Sequence, residues 1–310
     1  MCEKRQKISL VGIGMGTLKT MTAQAEEAVR RADCLIGAGR MLDAVRGMEA
    51  AEGKPVLAEY RGEQILSYLR LHPEYRETAV LFSGDTGFHS GAKGLADMLR
   101  KEMPEWEIQM VPGIASVVYM AARLKTSWED AALVSLHGKE EDFIQTVSRS
   151  RKTFLLLGGK DAGKRALERL REYGMDEVTL HVGTRLSYPD ERILSGTVQE
   201  LGETDLDGLS VVLAENPCPS LYACCHVPDG EFIRGNVPMT KEEVRAVSIA
   251  ALRLTEHAVV YDIGAGTGSV SVEAALSGTG IRVYAVEKNP EAVSLICQNR
   301  KKFRTDGIRV

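Results

Sequence analysis

The sequence predicts an α/β protein built in two successive parts. Short apolar runs recur, each closed by glycine-rich turn residues and followed by an amphipathic helix; Val80-Leu-Phe82, Ser83 to Gly87 and Ala92 to Lys101 form the clearest instance. Asn216-Pro-Cys-Pro-Ser220 interrupts the alternation, which restarts at Ala258 with a second strand, glycine loop and helix. A chain of 310 residues is long enough for two parts that each bury a core.

Composition narrows the function classes. With 44% hydrophobic and 26% charged residues and a net charge of -4, the chain reads as an ordinary globular protein without a basic field for nucleic acid or an anionic membrane. An anionic substrate must therefore be met by local Arg and Lys. Met1 to Lys7 runs straight into a strand, and no stretch approaches the ~20 apolar residues of a membrane span, so a cytoplasmic location is expected. The six cysteines contain no C-x-x-C pair. Cys218, Cys224, Cys225 and His226 are the grouping a soft metal would use, but adjacent cysteines ligate one ion poorly, and no metal site is expected.

In chain order, Ile8-Ser-Leu-Val-Gly-Ile13 reads as a strand, Gly12-Ile-Gly-Met-Gly16 as its loop, and Thr22 as the N-cap of a helix with Ala25, Ala28, Val29 and Ala32 on one face. A dinucleotide reading of this loop is opposed by Thr17, where a third glycine is wanted, and by Cys34-Leu-Ile-Gly37, which ends without a ribose-binding acid. A strand near Val56 and a helix from Glu63 to Leu71 lead to the strand at Val80. In the loop after that strand, Gly84, Gly87 and Gly91 admit close backbone approach, the first two with an expected left-handed φ. Asp85 places an acceptor at the carboxyl end of a strand, where open α/β sheets hold ligands. A strand ending at Val111, the turn Pro112-Gly113 and a helix from Ile114 to Leu124 come next. Then come strand Ala132 to Leu136, helix Glu140 to Arg149, strand Thr153 to Leu157, helix Gly163 to Tyr173, and strands near Val178, Ile193 and Leu209.

Gly12-Ile-Gly-Met-Gly16, Ser83-Gly-Asp-Thr-Gly-Phe88, Pro112-Gly-Ile-Ala-Ser116, Ser135-Leu-His-Gly138 and Tyr188-Pro-Asp-Glu-Arg192 occur in the order found in the tetrapyrrole methylases. Over residues 7 to 216 the chain resembles that family, most of all its members that alkylate ring carbon 5 of a precorrin or cobalt-precorrin in cobalamin biosynthesis. The family often has Pro where Met15 and Thr86 stand. The resemblance implies a two-subdomain class III methyltransferase fold over residues 1–216, divided near residue 112, with S-adenosylmethionine (SAM) as methyl donor. By motif position Met15, Gly84, Asp85, Thr86, Gly87, Phe88, Ser116, Val117 and Leu157 would serve the cofactor. Gly12 and Gly14, with Arg61, Lys93, Lys139, Arg185 and Arg192 for the carboxylates, would serve a tetrapyrrole. Proton loss after methyl transfer makes His89, His137 and Tyr119 candidate bases. The family also suggests a homodimer.

After a linker at 217–229, residues 230–310 carry Pro238-Met-Thr-Lys241, a capping box of Thr240 and Glu243, a helix whose apolar face is Val244, Val247, Ile249 and Leu252, and Asp262-Ile-Gly-Ala-Gly-Thr-Gly268. Glu287 ends the next strand roughly 20 residues past the glycine loop, the spacing that brings an acid onto a ribose diol. Ser269 stands where a nicotinamide site wants glycine. This part resembles the opening of a Rossmann-like class I domain, that of the precorrin methyltransferases acting at ring carbon 15 with decarboxylation. Thr240, Gly264, Ala265, Gly266, Thr267, Gly268 and Glu287 would contact SAM there. Only two strands and the start of a third are read, so the domain is expected to be incomplete or decayed, with half the apolar surface of the helices at 240–253 and 268–276 unpartnered and carbon-5 methylation retained alone. A methylase of the same fold acting on another substrate and a nucleotide-binding oxidoreductase are the alternatives.

Overall fold

A computed structural model describes residues 6–136, 142–159, 161–202, 206, 210–220 and 226–310. The chain divides into two compact units, Met1–Trp128 with Arg185–Arg192, and Glu129–Thr184 with Ile193–Val310. The expected division near residue 112 falls inside the first unit.

The first unit contains β1 (Lys7–Gly12), α1 (Ala23–Arg31), β2 (Cys34–Gly37), α2 (Gly39–Val45), β3 (Val56–Ala58), α3 (Gly62–Leu71), β4 (Glu77–Phe82), α4 (Ala92–Glu102), β5 (Glu107–Val111) and α5 (Ser116–Leu124). Its strands form one parallel sheet in the order β3-β2-β4-β1-β5. Alternating side chains divide between two faces: Ile8 and Leu10 join a core with Ile65, Leu69 and Leu99, while Val11 and Ile13 join one with Val29, Leu35 and Met41. Thr22 caps α1 as expected, its side chain accepting from the Ala25 N–H at 3.1 Å. The strand order also creates a crevice. The chain leaves β1 towards β2 but leaves β4 towards β5, so these adjacent strands send their connections in opposite directions, and their carboxyl ends form a topological switch point.

The second unit holds β6 (Ala132–Ser135), α6 (Ile144–Arg149), β7 (Lys152–Leu157), α7 (Ala162–Glu172), β8 (Thr179–Thr184), β9 (Arg192–Thr197, whose first residue belongs to the first unit) and β10 (Ser210–Glu215). The sheet is mixed, β6-β7-β10-β8-β9, because β10 runs antiparallel to both β7 and β8. Beyond it lie α8 (Glu242–Leu252), β11 (Val259–Ile263), α9 (Ser269–Leu276), β12 (Arg282–Val286), α10 (Pro290–Lys302) and β13 (Ile308–Arg309). These last strands form a parallel three-stranded sheet, β11-β12-β13, packed through Val283 and Ala285 against Val272 and Ile296 of α9 and α10. Its opposite face leaves Val259, Tyr261, Ile263, Tyr284 and Val286 exposed, with the two tyrosine rings stacked at 5.3 Å.

Two expectations about this part are corrected. Helix α8 begins one residue later than the capping box requires: Lys241 is its N-cap, and no side chain caps it. Its buried stripe is Arg245 and Ile249, so Val244, Val247 and Leu252 of the expected apolar face point outward. Of the two helices expected to leave half their apolar surface unpartnered, α8 exposes those three residues, but α9 is buried at Ser269 and from Ser271 to Ala275, and α6 covers its end through bonds from Gln145 Nε2 to the Ala275 carbonyl and from Arg149 Nη1 to the Leu276 carbonyl.

A buried carboxylate ties together the two sheets of this unit. The first N–H groups of α6 need acceptors, and its N-cap, Phe143, has no side chain to offer. Asp306, from the turn before β13 and 0% exposed, accepts from the N–H groups of Phe143 (2.9 Å), Ile144 (3.0 Å) and Gln145 (3.2 Å), and pairs with Arg169 at 3.2 Å. Asp142 reinforces the join by bonding both Arg169 (2.9 Å) and Arg309 (2.7 Å). Among the described residues no helix is long and apolar enough to cross a membrane, and no group of His, Cys, Asp and Glu is placed to hold a metal ion. Cys224 and Cys225 lie outside the described residues.

Replacing Asp306 by Ala orphans three backbone donors and leaves Arg169 to Asp142 alone, a loss on the order of 3 kcal/mol. Hydrogen exchange should accelerate at the amides of Phe143, Ile144 and Gln145 in Asp306→Ala, together with a lower unfolding midpoint; unchanged protection there would refute the capping role.

Candidate functional site

At the switch point the loops after β4, β1 and β5 lie side by side. Pairing of β1 with β4 runs to Gly12 opposite Phe82, and beyond it Gly14 and Gly84 exchange backbone bonds of 3.1 and 2.8 Å in an isolated antiparallel bridge. The approach is close enough that a Cβ on Gly12 would sit 2.7 Å from the Gly84 carbonyl and 2.9 Å from the Gly113 nitrogen. Gly84 has the expected positive φ, +69°; Gly87 does not, and a Cβ there would meet only Asp85 Oδ1, at 3.1 Å. Asp85 spans the loops: Oδ1 accepts from the Gly87 N–H at 2.8 Å and Oδ2 from the Gly113 N–H at 2.9 Å. Thr86, buried beneath, donates to the Val111 carbonyl at 3.4 Å, and Thr20 holds the Met15 N–H at 3.1 Å.

This edge suits a cofactor with a cationic centre. A Cβ on Gly84 would meet Ala115 Cα at 3.8 Å and the Ile114 carbonyl oxygen at 3.9 Å, ordinary contact distances that bring an acceptor to this edge. Met15, Phe88 and Ser116 are half-buried around these loops, and Val117 is buried under the first turn of α5. Leu157 belongs to the second unit and is wholly buried in its core with Val212 and Leu180.

The candidate bases separate. Tyr119 donates to Glu191 Oε2 at 2.7 Å, and Glu191 also accepts from the Ser187 N–H (2.6 Å) and Arg123 Nε (2.7 Å), which ties segment 185–192 to α5. Burial and the Glu191 carboxylate push the Tyr119 phenol up, so it stays protonated at neutral pH. Burial pushes Glu191 up as well, but its three donors outweigh that and hold it below the usual carboxylate range. His89 is exposed, with φ 45° and its ring edge-on to Phe88 at 4.9 Å. His137 and Lys139 lie outside the described residues.

Of the candidate carboxylate binders, Arg61 makes a two-pronged pair with Glu59 (3.0 and 2.7 Å), whose carboxyl its hydrogen bonds draw down to about 2. Arg185 bonds Asp190 at 2.7 Å and lies over the Tyr188 ring. Lys93 and Arg192 are exposed, at the start of α4 and of β9.

The glycine loop after β11 repeats the arrangement. Gly264 and Ala265 donate to the Val286 carbonyl (2.8 and 3.3 Å), while Glu287 accepts from Gly266 at Oε2 (2.9 Å) and from Lys288 and Asn289 at Oε1 (2.7 and 2.9 Å). These N–H groups, Asn289 foremost, lower the Glu287 pKa. Oε2 keeps a free lone pair, and nothing lies within 4 Å of a Cβ placed on Gly264, so the loop has room for a ribose diol. Thr267 and Ala265 are buried beneath it, and Thr240 is exposed. Sequence reasoning missed Arg245 and Asn299, both 0% exposed; the available signal for Arg245 was a charge four residues before Ile249 on one helix face.

Comparison with known proteins gives two family matches: Tetrapyrrole (Corrin/Porphyrin) Methylases over residues 7–202 and Precorrin methyltransferase domain over residues 231–310. The chain is homologous to a precorrin-6Y C(5,15)-methyltransferase [decarboxylating] of Sinorhizobium sp, 25% identical over 307 residues, 98% of this chain and 73% of the relative. A probable cobalt-precorrin-6B C(15)-methyltransferase (decarboxylating) of Pyrobaculum aerophilum is 50% identical over 84 residues, 26% of this chain and 43% of the relative. Such identity opposes the expectation of a decayed domain. Among solved structures, a cobalamin biosynthesis precorrin-6Y methylase from Archaeoglobus fulgidus matches with a TM-score of 0.50 and 25% identity, over 69% of this chain and 99% of that one.

Asp85→Ala should weaken SAM binding far more than Asp97→Ala, whose exposed partner is Arg100 on the same helix, and Gly84→Ala, which forces a side chain into a left-handed φ, should weaken it more than Gly87→Ala. Isothermal titration showing equal losses within either pair would refute the placement. Because the folded pKa of Glu191 lies below its ordinary 4.5, its contribution is full above that value and is lost as pH falls through the folded one. Segment 185–192 should therefore keep its hydrogen-exchange protection, corrected for the intrinsic rate, down to pH 4.5 in wild type and should lose it already at pH 7 in Glu191→Gln. Equal protection of wild type and Glu191→Gln at pH 7 would exclude a role for the charge.

Proposed function

The chain belongs to the tetrapyrrole (corrin/porphyrin) methylases, and on that premise we propose that its first half methylates ring carbon 5 of a precorrin or cobalt-precorrin, with SAM as donor, in cobalamin biosynthesis. The observation that carries the reading is a division of likenesses. The whole chain is similar to a carbon-5,15 enzyme, residues 231–310 share their likeness with carbon-15 enzymes, and the rest is left for carbon 5. The similarity to a precorrin-6Y methylase, 99% of which is matched by 69% of this chain, supports the same division.

SAM supplies a methyl group on a sulfonium, which a nucleophilic ring carbon takes in line as the carbon–sulfur bond breaks. The protein's task is alignment more than acid–base chemistry. Asp85 fixes the loop of Gly84 to Gly87 against that of Gly113, and the Ile114 carbonyl, 3.9 Å from a Cβ placed on Gly84, offers an acceptor for positive charge. With Tyr119 held protonated, His89 and His137 remain to accept the ring proton. The second half is related to carbon-15 methylation with decarboxylation, through Gly264 to Gly268 and Glu287; the chain spans 43% of the length of that relative.

Incubation of the protein with precorrin-6Y and isotopically labelled SAM should give a product heavier by one methyl group, located at carbon 5 by NMR. A label at any other position of the first methylation would overturn the assignment. Loss of carbon dioxide with a methyl at carbon 15 would assign the second activity to residues 231–310.

A further inference from the structure

Residues 227–240 precede the second glycine loop in sequence and are bound to it in space. Arg245, wholly buried on α8, holds both ends of this segment: Nη2 donates to the Val227 carbonyl (2.6 Å), and Nη1 donates both to Asp229 Oδ1 and to the Thr240 carbonyl (2.8 Å each). Its charge is met by Glu273 of α9, 1% exposed, which accepts from Arg245 Nε at 2.7 Å and from the Val227 N–H at 3.0 Å. The Phe232 ring lies 4.8 Å from the guanidinium carbon. Asn299 of α10 pins the middle: Oδ1 accepts from the Ile233 N–H (2.8 Å), and Nδ2 donates to the carbonyls of Ile233 (3.1 Å) and of Thr267 in the glycine loop (2.9 Å). The far arm then lies on that loop, since a Cβ on Gly266 would be 3.0 Å from the Pro238 carbonyl oxygen.

We propose that Arg245 is the positioning residue of the second cofactor site: by closing 227–240 into a strap, it sets Pro238 to Thr240 against the Gly264–Gly268 loop. The planar fork is what the task needs. It donates at once to two carbonyls and two carboxylates in different directions, which a lysine ammonium on a flexible stem does not reproduce. The proposal rests on the reading of that loop as a SAM site.

Removing one member of a buried ion pair endangers folding, whereas replacing both leaves no buried charge unpaired and costs the backbone bonds to Val227 and Thr240. The test is therefore the full chain carrying Arg245→Met with Glu273→Leu, beside Arg245→Lys and Glu287→Ala, with S-adenosylhomocysteine titrated calorimetrically. Wild type should show two sites, and Glu287→Ala should lose one of them. The double variant should unfold at a lower midpoint but remain folded with the first site intact, and bind at the second at least roughly tenfold more weakly. Arg245→Lys should also fail to restore it. Wild-type affinity at the second site in the double variant, with Glu287→Ala defective, would overturn the positioning role alone. A Glu287→Ala protein that keeps both sites would overturn the reading of the loop, and the proposal with it.

Discussion

The carboxylate of Asp85 is the contact on which the first site depends. Its two oxygens accept N–H groups from two different loops, Gly87 after β4 and Gly113 after β5, and between them runs the loop after β1, bridged to Gly84. Charge-assisted bonds of 2.8 and 2.9 Å are among the stronger a loop can make. Without them the Gly113 amide would lose its partner at a point where three backbones approach too closely for side chains. The sheet order makes the contact available, since β1 stands between β4 and β5 and brings their carboxyl ends within one residue's reach.

Glu287 repeats this logic on another sheet. It too ends its strand and folds back onto backbone N–H groups, one of them in the glycine loop of the neighbouring strand. In both places an acid read from sequence as a ligand contact is first of all the clamp that shapes its loop. Holding the loop by one lone pair leaves others free for a ligand, so the two roles are compatible.

Much of this was legible in the sequence. Short apolar runs marked the strands, glycine clusters marked the loops, and Thr22 announced the start of α1, because these signals depend on neighbours in the chain. What escaped depends on distant residues. Asp306 looks like a turn residue until it is found capping α6, more than 160 positions away. Arg245 lies on the helix stripe opposite Val244 and Val247, and a pattern of apolar positions alone assigns the wrong side to the core. Gly87 resembles Gly84 in sequence but not in φ, a distinction set by the bridge to Gly14. Within 217–229, read from sequence as a linker, Val227 is bound by Arg245 and Glu273, partners that only the fold brings to it.

The most direct test of the clamp is a crystal structure with S-adenosylhomocysteine bound. The ligand should lie against Gly84 to Gly87 and the Ile114 carbonyl, with Asp85 still accepting from the Gly87 and Gly113 N–H groups. An Asp85 carboxylate turned away from Gly113 to bind the ligand, or a ligand seated away from these loops, would contradict the account.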